Sequence, residues 1–109
     1  MHIDANSLET VQRILRSHLP GCEIWAFGSR VHGRNLKKFS DLDLAIISTT
    51  PLDPLLLADL KEAFSESDLP FKVDLLDRST VSEIFRRIID KKHVVIQAAE
   101  NAGDTPGKG

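Results

Sequence analysis

Hydrophobic and polar positions repeat along this chain with two periods, and the switches between them mark out helices and strands in alternation. Leu8, Val11, Ile14, Leu15 and Leu19 recur at helical spacing until Pro20-Gly21 stops the pattern, and Asn6 with Glu9 reads as a capping box at its start. Glu23 to Phe27 is a short apolar run that ends at Gly28, as expected of a strand entering a tight turn. Arg30 to His32 begins a short helix. A polar loop follows through Gly33, Arg34, Asn35, Lys37 and Lys38, and Asp41 to Ile47 makes a second strand. Asp53-Pro54 supplies a cap and a proline at the first helical position, and Leu56, Leu57, Leu60 and Phe64 give that helix its apolar face. Phe71 to Leu76 reads as a third strand, with Val73 and Leu75 on one face and Lys72, Asp74 and Leu76 on the other. Thr80 with Glu83 reads as a second capping box, opening a helix whose Val81, Ile84, Phe85 and Ile88 face inward. His93 to Gln97 forms a last short strand.

This pattern predicts an α+β domain over residues 1–100, a small mixed sheet flanked by helices. The polar, glycine-containing stretch 101–109 is expected to be a disordered tail. With 109 residues the chain makes one core but has no room for a separate substrate domain, so a large substrate must be held partly by something else. Fourteen basic against sixteen acidic residues give a net charge of −2, which argues against a direct grip on nucleic acid. The single Cys22 excludes an internal disulfide and offers no zinc spacing, so it is read as a small core residue. No long apolar run or signal pattern is present, and a soluble, cytoplasmic protein without a membrane span is expected.

Candidate chemistry concentrates in three carboxylates. In a strand, residues two apart face the same side, so Asp41 and Asp43 project together while Leu42, Leu44 and Ile46 enter the core. Two such carboxylates repel unless a cation lies between them, and hard oxygen donors suit Mg²⁺ or Mn²⁺. Asp74, brought from a neighbouring strand, would allow a second ion. The Gly28-Ser29 turn leads from a strand into a helix start, where main-chain N–H groups and a hydroxyl make an anion site. Gly28 lets a phosphate approach because it has no Cβ.

Other polar residues read more simply. Lys37 and Lys38 are solvated loop charges, Arg86-Arg87 and Lys91-Lys92 exposed helix charges, and Asp77 caps or precedes the next helix. His18 and His93 lack metal-ligand spacing, and Trp25 belongs to the core.

Together, Gly28-Ser29-Arg30-Val31-His32-Gly33, Ser40-Asp41-Leu42-Asp43-Leu44 and Val73-Asp74-Leu75 resemble the polymerase β-like nucleotidyltransferase superfamily, specifically its minimal nucleotidyltransferase (MNT) members. The resemblance covers nearly the whole chain before the tail. It implies Asp41, Asp43 and Asp74 as catalytic, metal-binding carboxylates, and Gly28, Ser29 and Arg30 as the nucleotide-binding turn. His32 departs from the pattern, since many relatives carry a basic residue there. The implied reaction is in-line transfer of AMP from ATP with two Mg²⁺ ions about 3.5–4 Å apart. Asp74 would accept the proton of the attacking hydroxyl. The implied acceptor is a tyrosine of a HEPN-type ribonuclease toxin, with this chain as its antitoxin in a hetero-oligomer. Two alternatives stay open: a noncatalytic module that neutralises its partner by contact, and a small-molecule (antibiotic) nucleotidyltransferase, which the missing substrate domain weakens.

Overall fold

The computed structural model describes residues 2–32, 41–48 and 51–99, with Ser29 and His32 described through their main chain alone. The polar loop containing Gly33, Arg34, Lys37 and Lys38, and the 101–109 tail, lie outside the described residues. The order of elements is α1 (Ala5–His18), β1 (Glu23–Phe27), α2 (Ser29–His32), β2 (Leu42–Ile47), α3 (Pro54–Ser65), β3 (Val73–Asp77), a 3₁₀ turn (Arg78–Thr80), α4 (Glu83–Lys91) and β4 (Val94–Gln97).

The four strands form one mixed sheet in the order β3-β2-β1-β4. β1 runs antiparallel to β2 and to β4, whereas β2 and β3 are parallel and are joined through α3, the crossover that a parallel pair requires. Strand alternation divides the side chains between two faces. Ile24, Ala26, Leu42, Leu44 and Ile46 join Val11, Leu15, Leu60 and Phe64 of α1 and α3 in the main core. On the opposite face Phe27 and Ala45 pack with Ile89 of α4, and Trp25, Ile47, Leu76 and Phe85 border them.

Several boundaries differ from the sequence expectation. α1 runs back past Asn6 to Ala5, so Asn6 lies inside the first turn and the capping box does not form; Asp4 occupies the cap position without a side-chain hydrogen bond. β3 starts at Val73 rather than Phe71, because Phe71 is drawn against the Arg30 guanidinium, 4.2 Å from its ring centre. The Asp53 cap forms as expected, accepting from the Leu55 N–H at 2.9 Å. α4 is capped by Ser82, whose hydroxyl accepts from Phe85 N–H, while Thr80 belongs to the preceding turn and donates to the Asp77 carbonyl. Its inward face is also corrected. Ile89 is buried and Phe85 partly so, but Ile84 and Ile88 are 73 % and 58 % exposed, because a nine-residue helix over a narrow sheet can lay down only one stripe. Arg86 is not a solvated charge: it donates to the carbonyls of Val81 and Ser79 and pins the 3₁₀ turn to α4. Trp25 is only partly buried and stacks on His93 with ring centres 3.7 Å apart.

Candidate active site

The site forms where β1 ends and where β2 and β3 begin. In the parallel register Asp43 lies directly beside Asp74, on strands spaced by about 4.8 Å. Asp41 precedes β2 by one residue and reaches Asp74, with which it shares a side-chain hydrogen bond. All three carboxylates therefore meet on the face that carries α4, as the alternation of the sequence requires. On the other side, Phe27 at the end of β1 pairs with Asp43, and Gly28 follows at once.

Gly28 has φ +86°, the left-handed region that favours glycine. A Cβ built on it would run into Asp43 Oδ2 and lie 3.2 Å from Asp43 Cγ. The glycine thus makes room for the Asp43 carboxylate as well as opening the turn. Sequence reasoning found the turn but missed this contact, which joins residues 15 positions apart and leaves no local signal. After Gly28 the chain enters α2, where the Val31 N–H bonds to the Gly28 carbonyl at 3.0 Å.

The Arg30 side chain has structural partners. It is buried, stacks on Phe71 and donates from Nη1 to the His2 carbonyl at 2.8 Å, while its own carbonyl accepts from His2 N–H at 2.7 Å. The guanidinium fastens the N-terminal segment and the approach to β3 onto α2. Asp77, at the far end of β3, is buried and structural. Burial acts to raise its pKa, but hydrogen bonds from Leu52 N–H and from the hydroxyl and N–H of Ser79 outweigh that and lower it.

Electrostatics distinguish the carboxylate cluster from ordinary surface acids. Asp43 is pushed up to about 6, first by burial and then by the charges of Asp74 and Asp41. Asp74 is raised as well, by partial burial and by its hydrogen bond and charge interaction with Asp41, with Lys72 and Lys61 pulling the other way. Lys72 Nζ lies 4.0 Å from Asp74 Oδ1 in an exposed pair, which contributes little to stability. Among the described residues no three acidic, histidine or cysteine side chains already surround a common metal position. The donor set nevertheless fits a hard divalent cation. Asp43 and Asp74 hold their charge poorly as they stand, and a cation beside them would relieve both the repulsion and the desolvation.

A mixed four-stranded sheet carrying paired carboxylates beside a glycine turn defines the polymerase β-like nucleotidyltransferase fold. Residues 8–102 match the nucleotidyltransferase domain family, and the chain belongs to it. It is 56 % identical, over 97 % of its own length and 92 % of the relative's, to a Haemophilus influenzae protein named "Probable protein adenylyltransferase MntA". Its fold is shared with a toxin–antitoxin complex crystallised with AMP-PNP, at TM-score 0.68 and 23 % identity over 85 % of this chain and 74 % of that one. It is shared too with the complex of a tri-AMPylated Shewanella oneidensis HEPN toxin and its MNT antitoxin, at TM-score 0.63 and 21 % identity over 86 % and 71 %. The chain is a nucleotidyltransferase. No described helix is long and apolar enough to cross a membrane.

Proposed function

We propose that this nucleotidyltransferase moves AMP from ATP onto a tyrosine of a HEPN-type ribonuclease toxin and acts as the toxin's antitoxin, in a cytoplasmic hetero-oligomer. The observation that carries the reading is the convergence of Asp41, Asp43 and Asp74 beside the Gly28 turn, in a chain 56 % identical to a protein bearing the adenylyltransferase name. The related complexes, one with an ATP analogue and one with an AMPylated toxin, support the same donor and partner.

In this reading Asp41, Asp43 and Asp74 would hold two Mg²⁺ ions, which neutralise charge on the phosphates and increase the electrophilicity of the reacting phosphorus. Asp74, on the outermost strand beside Asp43, takes the proton from the acceptor hydroxyl. Gly28 would let the triphosphate approach the main chain, and the N–H groups of Ser29 and Arg30 at the start of α2 would bind it. Arg30 contributes through its main chain, since its guanidinium is engaged by Phe71 and His2. In this reading residues 1–100 are the nucleotidyltransferase domain and the 101–109 tail takes no part in transfer.

Intact-mass spectrometry of the partner, incubated with this protein, ATP and Mg²⁺, tests the reading. The partner should gain AMP and lose ribonuclease activity, while Asp74→Asn should bind it and leave its mass unchanged. Full neutralisation by Asp74→Asn with no adduct would assign the chain to contact-only antitoxins. Transfer to an antibiotic in preference to the protein would assign it to the small-molecule enzymes.

A further inference from the structure

We propose that the groove along the free edge of β3 is the acceptor subsite, which seats an extended acidic segment of the protein substrate and presents its hydroxyl to Asp74. This inference rests on the transfer reading above and names how the acceptor reaches that site.

The order of strands supplies the first step. In an in-line displacement the attacking and leaving oxygens lie on opposite sides of the phosphorus. The Gly28 turn follows β1, the Asp43 carboxylate is on β2 between, and Asp74 is on β3 at the other side. With pyrophosphate departing towards Gly28, the acceptor has to arrive over β3. The acceptor oxygen bonds to the α-phosphorus, the bond from that phosphorus to the bridging oxygen breaks, pyrophosphate leaves, and the hydroxyl proton passes to Asp74.

The outer side of β3 is built to hold a peptide. A groove of about 580 Å³ runs between β3 and the second half of α3, on the sheet face opposite the carboxylates, and Asp74 borders it at the free edge of β3. Phe64, Leu69 and Phe71 give it apolar walls suited to a side chain next to the acceptor, and Lys61 and Lys72 add positive charge. Lys72 Nζ lies 4.0 Å from Asp74 Oδ1, so the basic side of the groove meets the carboxylate at the edge of β3. The edge itself is available. Leu42 N–H bonds to the Lys72 carbonyl, so Lys72 and Asp74 direct their main-chain groups towards β2 and those of Val73 and Leu75 face outward. An extended segment can add to that edge through main-chain hydrogen bonds, its apolar side chain against the phenylalanines and its acidic residues facing the lysines.

Two variants and one crosslink test this. Ser65 is exposed at the end of α3 and lines the groove, so Ser65→Trp fills it without disturbing the core. Lys61→Glu reverses its charge. Each should lower kcat/KM for the HEPN-type partner by about tenfold or more, through KM, while the Mg-ATP dissociation constant stays within about twofold of the parent's. A benzophenone side chain placed at Ser65 should crosslink to the partner's acceptor segment whether or not transfer occurs. Crosslinking by a chain that transfers nothing would therefore uphold the groove while sinking the transfer reading. An unchanged partner KM, an equal loss of Mg-ATP affinity, or the lack of a crosslink to the partner would overturn the acceptor subsite.

Discussion

The Asp43 carboxylate fills the space that a side chain at Gly28 would occupy. The tight turn and the Asp43 carboxylate are therefore one unit, set by the antiparallel pairing of Phe27 with Asp43. Gly28→Ala should cost about 1–2 kcal/mol from its left-handed backbone alone, and more because Asp43 must move. Melting of a double-mutant cycle with Asp43→Ala separates the two effects: the alanine penalty should shrink to its backbone part once the carboxylate is gone. Equal penalties in both backgrounds would mean that Asp43 swings aside at no cost.

Asp43 also sets a pH dependence. Its folded pKa, about 6, lies above the ordinary 3.8, so between those values the folded chain keeps a proton that the unfolded chain has lost. Stability of the metal-free protein therefore falls as pH rises from about 4 to about 6 and is level above that. Asp43→Asn removes the penalty. The variant should match the parent below pH 4 and exceed it by about 1–2 kcal/mol above pH 6, a range that allows for solvent screening of a half-buried carboxyl. Mg²⁺ should reverse the order at pH 7.5 by stabilising the parent alone, in proportion to the logarithm of its concentration over the dissociation constant. Thermal melts across pH with and without Mg²⁺ check both signs, and a variant less stable than the metal-free parent at pH 7.5 would contradict the assignment.

The exposed side of α4 gives a test of packing. Ile89→Ala should cost about 2–5 kcal/mol, as expected for a fully buried isoleucine against Phe27 and Ala45. Ile84→Ala and Ile88→Ala should each stay within about 0.5 kcal/mol of the parent. Urea unfolding of the three variants distinguishes this face from the one that helical periodicity alone predicts.

What the sequence made legible follows from how local each signal is. β1 was readable to the residue because a five-residue run ends at a glycine, and Asp43 could be set apart from Leu42 and Leu44, and Asp74 from Val73 and Leu75, because strand alternation has a period of two. The face of α4 was not readable, since Val81, Ile84, Phe85, Ile88 and Ile89 offer a stripe wider than the helix can bury and only the neighbouring sheet selects among them. The start of β3 was misplaced for a related reason: Phe71 has strand character, but Arg30, 41 positions earlier, claims its ring. Gly28 was recognised for its turn and not for its contact with Asp43, because a through-space fit between two strands has no trace in spacing.

Arg30 supplies the last prediction. Its guanidinium lies over the Phe71 ring and bonds to the His2 carbonyl, so it joins the N-terminal segment, α2 and the approach to β3 at one buried point. Arg30→Ala should destabilise the fold by about 1–3 kcal/mol, through the lost cation–π contact and the unpaired carbonyl. Arg30→Lys should recover little of this, because an ammonium cannot stack its plane on the ring while reaching the same acceptor. The nucleotide contact proposed for this residue runs through its N–H, which both variants retain. Calorimetric titration with Mg-ATP well below the melting temperature should therefore give dissociation constants within a few-fold of the parent's, even though both variants melt earlier. A loss of nucleotide affinity in Arg30→Ala that Arg30→Lys restores would instead mean that the positive charge itself contacts the triphosphate, and would require the side chain to leave Phe71 when nucleotide binds.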